Sequence, residues 1–223
     1  MLINPQQHAN LRYLPIDNRY FAASHSWIEV VCEDIEPLIQ RGVPVVLEAG
    51  SDALPIALLR STDRDDPLSG HTPVMWRDYP FTLGPDTIGL NHADQVTCHA
   101  PLWVDPDAPH WSSGDGYRLF DSDEKPTLFL KDVMSSLRAR QRTIQHTYTL
   151  VSLLHRAEAL SPMSVEYASK RHVIYRIDLT NLAKRLTLLD SDNSSQALHL
   201  ATLLEKSQAW LSSLENTMPD KSL

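Results

Sequence analysis

The stretch GDGYRLFDSDEKPTLFLKDV, residues 114–133, marks the change from short strand-like segments to long helical ones. Phe120 is expected to end a short strand, and the polar residues 122–125 that follow are typical of a tight turn. Pro126 and Thr127 suit the start of a helix, where a missing N–H is tolerated and a hydroxyl can cap. We therefore predict a β-rich part over about 11–125 and a helical part over about 127–215.

The acidic residues of this stretch also suggest two alternatives, a calcium loop and a catalytic carboxylate pair. In a calcium loop that starts at Asp121, the fifth and sixth positions are Lys125 and Pro126. A lysine repels the metal, and proline cannot adopt the positive φ for which such loops use glycine. An acid–base pair of Asp121 and Asp123 has no sign of burial around it. The turn is the favoured interpretation.

In the helical part, apolar residues recur at intervals of three, four and seven from Leu130 to Leu160, which is the pattern of an amphipathic helix. Thr127 is expected to cap this helix and Pro162 to end it. The segment 171–178 resembles a strand that returns to the sheet. Two further helices are expected at about 180–189 and 195–215.

The first half alternates short apolar runs with Gly, Pro and Asp, which favours strands. The predicted strands are 11–16, 27–31, 43–48, 54–59 and 73–76. A short helix is expected at CEDIEPLIQRG, with Gly42 at its end. The polar segment 60–72 and the proline-rich segment 100–116 are interpreted as surface loops. The expected fold class is α+β, with an N-terminal mixed or antiparallel β-rich region packed with a long helix and further C-terminal helices. We predict a single domain over 1–223.

The charge, hydropathy and cysteine content of the chain argue against several classes of function. The chain has 223 residues and a formal net charge of −8, which opposes binding to nucleic acid. No stretch of eighteen residues lacks charge and the N-terminus has no signal-peptide pattern, so we expect no membrane insertion. Only two cysteines occur, Cys32 and Cys98, which fits a reducing compartment. The predicted location is the cytoplasm.

Three blocks follow one another in the chain: TPVMWRDYPFTL (72–83), YRLFDSDEKPTLFL (117–130) and HVIYRIDLTNLAKRL (172–186). In this order they resemble the YPF element, the LFD block and a later element of the SapC family of bacterial proteins. The chain departs from the family at Lys125, where the turn glycine usually stands. A longer family stretch before the YPF element is shortened here to RDDPLSG. The resemblance spans roughly 11–215 and identifies a divergent member.

The family resemblance implies a connection to the bacterial surface, but it does not imply a particular reaction. SapC proteins are named from a surface-array (S-layer) gene cluster and are linked to cell-surface export and to outer-membrane receptors. The resemblance carries over no catalytic residue. It therefore implies an accessory protein with a role connected to the bacterial surface.

An enzymatic alternative starts from His92 and Asp94, because H-x-D is half of the facial triad that binds iron in oxygenases. His172 would supply the distal ligand. In this alternative the chain is a metal-dependent oxygenase-like or peptide-modifying enzyme with an iron cofactor. Without it, no cofactor is predicted.

The favoured hypothesis is a protein that binds a protein or peptide partner. Trp103 and Trp111 lie in the proline-rich segment, and Arg77 and Tyr79 lie in the YPF element. Tryptophan, tyrosine and arginine are the residues enriched in interface hot spots. We therefore predict these four residues as the contacts. A third hypothesis is a homodimer formed through leucines of the C-terminal helix between 198 and 214.

Overall fold

The computed structural model describes residues 1–49, 54–59, 66–84, 101–167 and 170–215. It confirms the α+β class, with several small antiparallel sheets, one long helix and two C-terminal helices. In chain order the elements are α1 (Pro5–His8), β1 (Arg12–Tyr13), α2 (Arg19–Ala23), β2 (Trp27–Glu29), α3 (Cys32–Gln40), β3 (Val45–Val46), β4 (Ile56–Leu58), a 3₁₀ helix (Val74–Trp76), β5 (Phe81–Leu83), β6 (Leu102–Val104), β7 (Trp111–Ser112), β8 (Tyr117–Arg118), α4 (Leu128–Arg156), β9 (Leu160–Tyr167), β10 (Lys170–Ile177), α5 (Leu182–Leu189) and α6 (Ser194–Glu215).

The chain divides into two compact units, each built from two separate stretches. Unit 1 comprises Met1–Asn18 and Trp76–Arg142, and unit 2 comprises Arg19–Met75 and Thr143–Leu223. A single domain over 1–223 stays a prediction.

Unit 1 contains two small antiparallel sheets. The first has the order β7–β1–β8, in which Tyr13 faces Trp111 on one side and Tyr117 on the other. The second pairs β5 with β6, and the N–H of Ile3 extends it by donating to the carbonyl of Leu102 at 2.9 Å. The buried core of this unit consists of Phe81, Leu102, Val104, Leu119, Phe120, Leu130 and Leu137.

The predicted turn and helix start are confirmed. Asp121 Oδ1 accepts the N–H groups of Asp123 and Lys125, each at 2.9 Å, so the carboxylate is used to close the turn. Thr127 Oγ1 accepts the N–H of Leu130 at 3.4 Å, as expected of a helix cap. The helix α4 then continues for 29 residues, from Leu128 to Arg156.

Unit 2 is built around a sheet with the order β2–β4–β3. Beyond β3, the N–H of Ala49 donates to Val173 and the N–H of Tyr175 donates to Leu47, each at 2.8 Å. These two bonds form an isolated bridge between Glu48 and Ile174, so the two-stranded sheet of β9 and β10 pairs with the segment that follows β3. The predicted strand 171–178 is β10. Helix α6 packs on β3 and β10, where the N–H of Val45 donates to Ser207 Oγ at 2.6 Å.

The structure corrects the sequence prediction in three segments. Segment 73–76 contains a 3₁₀ helix instead of a strand, because the N–H of Val74 donates to the buried carboxylate of Asp34. Helix α4 ends at Arg156 and not near Pro162, since Glu158 adopts a positive φ of 53° and β9 begins at Leu160. The predicted loop 100–116 holds the strands β6 and β7.

Three predicted helices agree closely with the structure. The short helix in CEDIEPLIQRG is α3, and Gly42 follows it with a φ of 75°. The two C-terminal helices are α5 and α6. Of the predicted loop 60–72, residues 60–65 lie outside the described part of the chain, and Leu68 is buried.

Candidate functional site

All four predicted contact residues lie in unit 1. Tyr79 and Trp111 both donate hydrogen bonds to Asp105, the residue after β6. Trp103 lies within β6 and is exposed, whereas the residues on either side of it are buried. Arg77 is exposed, and its backbone carbonyl accepts a hydrogen bond from the Asn18 side chain at 3.2 Å. The four residues therefore divide into two that hold a loop and two that are exposed.

The Asp105 carboxylate is the polar centre of this region. Its Oδ2 accepts the Tyr79 hydroxyl at 2.7 Å, and its Oδ1 accepts the N–H of Asp107 at 3.0 Å. The Tyr79 bond, followed by the Asp107 bond, lowers the pKa of Asp105. Burial and this same bond raise the pKa of Tyr79 to about 12. The pair is thus held as a neutral phenol that donates to a carboxylate.

Trp111 is held by the same loop. Its indole Nε1 donates to the backbone carbonyl of Asp105 at 2.7 Å. Its ring lies edge-on against Phe81, with centroids 5.5 Å apart and an interplanar angle of 88°. Trp111 is therefore partly buried in the unit's core, and its clearest role is to fix the loop between β6 and β7.

His110 is a further member of this site, in addition to the four predicted contact residues. It is fully buried, and its Nε2 lies 2.9 Å from Asn18 Oδ1. Asn18 Nδ2 donates to the carbonyls of Arg77 and Tyr79, so its Oδ1 is the acceptor and His110 Nε2 carries the proton. Burial lowers the pKa of His110, which favours the neutral ring. No local pattern indicates this role, because the partner lies 92 residues away.

Stacked rings connect His110 to the surface of unit 1. The ring of Tyr13 stacks on His110 with centroids 5.4 Å apart, and also on Phe129 with centroids 5.1 Å apart. Phe129 in turn stacks on Tyr117 at 4.9 Å, and Tyr117 is 54 % exposed. These contacts join β1, β8 and α4 to the loop that carries His110.

Trp103 is the large aromatic side chain that β6 presents outward. Its neighbours Leu102 and Val104 are buried, while Trp103 itself is 40 % exposed. In the paired strands it faces Thr82 on one side and Leu2 on the other, and Leu2 is 46 % exposed. A Cβ atom added at Gly84 would overlap the indole Nε1 of Trp103. The ring therefore lies directly on a residue whose lack of a side chain makes room for it.

The residues of the iron hypothesis do not come together in the described structure. His92 and Asp94 lie outside the described residues. His172 lies in β10, half-buried and in register with Val165 of β9. Among the described residues, no three His, Cys, Asp or Glu side chains are grouped so that they could hold one metal ion. The iron site stays a prediction.

One further finding concerns membranes. Within the part of the chain that the structure describes, no helix is both long enough and apolar enough to span a bilayer.

Comparison with known proteins gives one match. The family model described as SapC matches residues 3–218, which is nearly the whole chain. No curated protein and no solved structure gives a significant match.

Proposed function

Because the chain belongs to the SapC family, we propose that it is a cytoplasmic accessory protein that binds a protein partner through the surface around Trp103. The partner segment has an apolar side chain that packs against the indole, flanked by basic residues. The observation that carries this proposal is the outward position of Trp103 beside Leu2 and Thr82 on one sheet face.

The setting of Trp103 supports a role as an anchor. Its backbone is paired on both sides, and the ring rests on Gly84. A side chain that is already ordered loses little conformational entropy on binding, so more of the contact energy appears as affinity. Tryptophan is also among the residues most enriched in binding hot spots.

The other predicted contacts support this surface in different ways. Tyr79 and Trp111 fix Asp105 directly after β6, which positions the end of the strand that carries Trp103. Arg77 is exposed in the same unit and is proposed as a further contact. The net charge of −8 favours a basic partner segment through long-range attraction.

Site-specific photocrosslinking in the native bacterium tests the proposal. A benzophenone amino acid replaces Thr82, which is exposed and directly faces Trp103. The matched control carries the same group at Trp27, which is 49 % exposed but lies in unit 2. We expect one protein to crosslink at position 82 and not at position 27, and Trp103→Ala to remove that crosslink.

The partner identified in this way is then purified for titration. Trp103→Ala is expected to raise the Kd of the complex at least about tenfold, which is the effect of a hot-spot residue. Trp27→Ala is expected to leave the Kd unchanged. Equal affinity of wild type and Trp103→Ala would overturn the proposed surface.

We further propose that the partner acts in the assembly or export of surface or outer-membrane proteins. The SapC membership and the S-layer association implied by the family's name support this setting. Deletion of the gene should change the amounts of specific outer-membrane or surface-layer proteins, measured by quantitative proteomics of the cell envelope. Cell fractionation tests the cytoplasmic location.

Self-association through the C-terminal helix remains the alternative partner arrangement. Polar substitution of Leu211 and Leu214 tests this arrangement, and the side chains of both residues lie outside the described part of the structure. Light scattering of the wild-type chain measures its mass directly. A dimer that polar substitutions at these two leucines convert to a monomer would support this arrangement.

A further inference from the structure

Unit 2 contains a cleft of about 470 Å³ that has no part in the proposed partner surface. Its walls come from the start of α3, the second half of α4 and the first turns of α6. The polar groups around it are Cys32, Glu33, His146, Ser195, Gln196 and His199, and leucines of α4 and α6 supply the apolar part. Ligand sites of small molecules commonly have this size and this mixture of apolar walls with a few polar groups.

The wall between α3 and α4 is fixed by hydrogen bonds. The N–H of Cys32 donates to Thr147 Oγ1 at 3.1 Å, and this hydroxyl donates to the carbonyl of Thr143 at 2.9 Å. Thr147 is fully buried, so these bonds are shielded from water. The cleft therefore has a wall that is ordered before any ligand binds.

The polar groups of the cleft differ in the hydrogen bonds that they can make to a ligand. Glu33, the one carboxylate among them, already accepts the Thr143 hydroxyl at 3.2 Å. His146, Ser195, Gln196 and His199 can each donate a hydrogen bond. A ligand that fits these walls has an apolar body for the leucines and an accepting head group for the donors.

We propose that this cleft binds a small amphipathic carboxylate. The apolar body lies against the leucines, including Leu203, and the carboxylate accepts hydrogen bonds from His199 and Gln196 on α6 and from His146 on α4. This inference concerns unit 2 alone and does not depend on the partner surface of unit 1.

Cys32 provides a built-in reporter of occupancy, because its side chain borders the cleft. The full-length protein is alkylated with iodoacetamide in the presence of octanoate, octanol or octylamine, three eight-carbon probes with different head groups. Peptide mass spectrometry then gives the rate at Cys32, separately from that at Cys98. Octanoate is expected to slow the alkylation of Cys32 strongly, and the other two probes much less.

Variants test which groups hold the carboxylate. His199→Phe combined with Gln196→Leu removes two donors from exposed positions of α6 and is expected to weaken octanoate binding about tenfold. The matched control is Glu205→Gln, an exposed position of the same helix that does not line the cleft. Circular dichroism checks that each variant is folded.

Several outcomes would overturn the assignment. Stronger protection by octylamine would mean that Glu33 selects a cationic head group instead. Protection by zinc ions without protection by octanoate would point to a metal site. Equal octanoate binding by wild type and the double variant, or no protection by any probe, would also contradict it.

Discussion

Tyr79 donates its hydroxyl to the Asp105 carboxylate across 2.7 Å, and so joins the YPF element to the end of β6. The same aspartate holds Trp111 through its backbone carbonyl, at 2.7 Å. One residue thus connects two segments that the sequence places more than twenty positions apart. This connection lies at the end of β6, the strand that carries Trp103.

Tyr79→Phe removes the phenolic donor and keeps the ring. We expect the free energy of unfolding to fall by about 1 kcal/mol, because the lost bond is made to a charged group in a partly solvated site. Urea denaturation measures this change. Tyr117→Phe is the matched control, since Tyr117 is 54 % exposed, and no measurable change is expected there.

The raised pKa of Tyr79 predicts that the stability of the fold decreases at alkaline pH. Its pKa is raised from 10.0 to about 12, so the folded state keeps a proton that the unfolded chain loses above pH 10. The stabilisation from Tyr79 is therefore complete below pH 10 and is lost as the pH rises towards about 12. Burial also raises the pKa of Tyr13, so ultraviolet absorbance of tyrosinate is compared between wild type and Tyr79→Phe. The variant should lose one late-titrating tyrosine, and an unchanged titration curve would contradict the assignment.

The lowered pKa of His110 predicts that the stability of the fold also decreases at acidic pH. Burial lowers its pKa below the ordinary value of 6.5, so the unfolded chain takes up a proton before the folded state does. Its contribution to stability is present above pH 6.5 and is lost as the pH falls towards the lowered folded-state pKa.

The measurement for His110 is the free energy of unfolding as a function of pH, for wild type and His110→Phe. The variant keeps a ring of similar size but has no proton to bind, so its stability should fall less between pH 6.5 and the lowered pKa. His199→Phe serves as the control, because it removes an exposed histidine. Parallel pH profiles of wild type and His110→Phe would refute the prediction.

Gly116→Ala tests the sheet around Tyr13. Gly116 has a φ of +104°, and an added Cβ atom would overlap the carbonyl oxygen of Tyr13. Strained backbone and overlap together should cost at least about 2 kcal/mol. Gly114→Ala, two positions earlier, meets no atom within 4 Å and should be nearly neutral in a thermal unfolding comparison. Similar melting temperatures of both variants would contradict this account.

Asp34→Ala tests the buried carboxylate of unit 2. Asp34 accepts the N–H of Val74 at 3.1 Å, lies 3.0 Å from His71 Nε2, and is fully buried. Its removal leaves a buried N–H without an acceptor, which costs about 1–3 kcal/mol. Glu36→Ala, at an exposed position of the same helix, is the control in chemical denaturation. Equal stabilities of the two variants would show that the Asp34 contacts contribute nothing net.

The features that the sequence predicted well depend on near neighbours. The turn at Asp121 and the cap at Thr127 are made by residues two to four positions apart. The helix α3 and the glycine after it follow equally local rules. Such patterns are visible in a single chain because the interacting groups are close in sequence.

The features that were missed depend on distant contacts. Val74 belongs to a 3₁₀ helix whose N–H donates to Asp34, 40 residues earlier, and His110 is buried beside Asn18, 92 residues earlier. Strand β9 contains Pro162, which sequence rules assign to the end of a helix or to a strand edge. In the site, Trp103 and Trp111 look alike in sequence, and their different exposure follows from strand pairing.

The division of each unit into two separate stretches has a consequence for biosynthesis. Every residue of unit 1 has been translated once the ribosome passes Arg142, whereas unit 2 still lacks everything from Thr143 onward. A premature stop codon after residue 142 would therefore leave the chain of unit 1 complete, and would remove the second half of α4 and all of α6, which line the cleft. No truncation at another position leaves unit 1 complete with so little of unit 2.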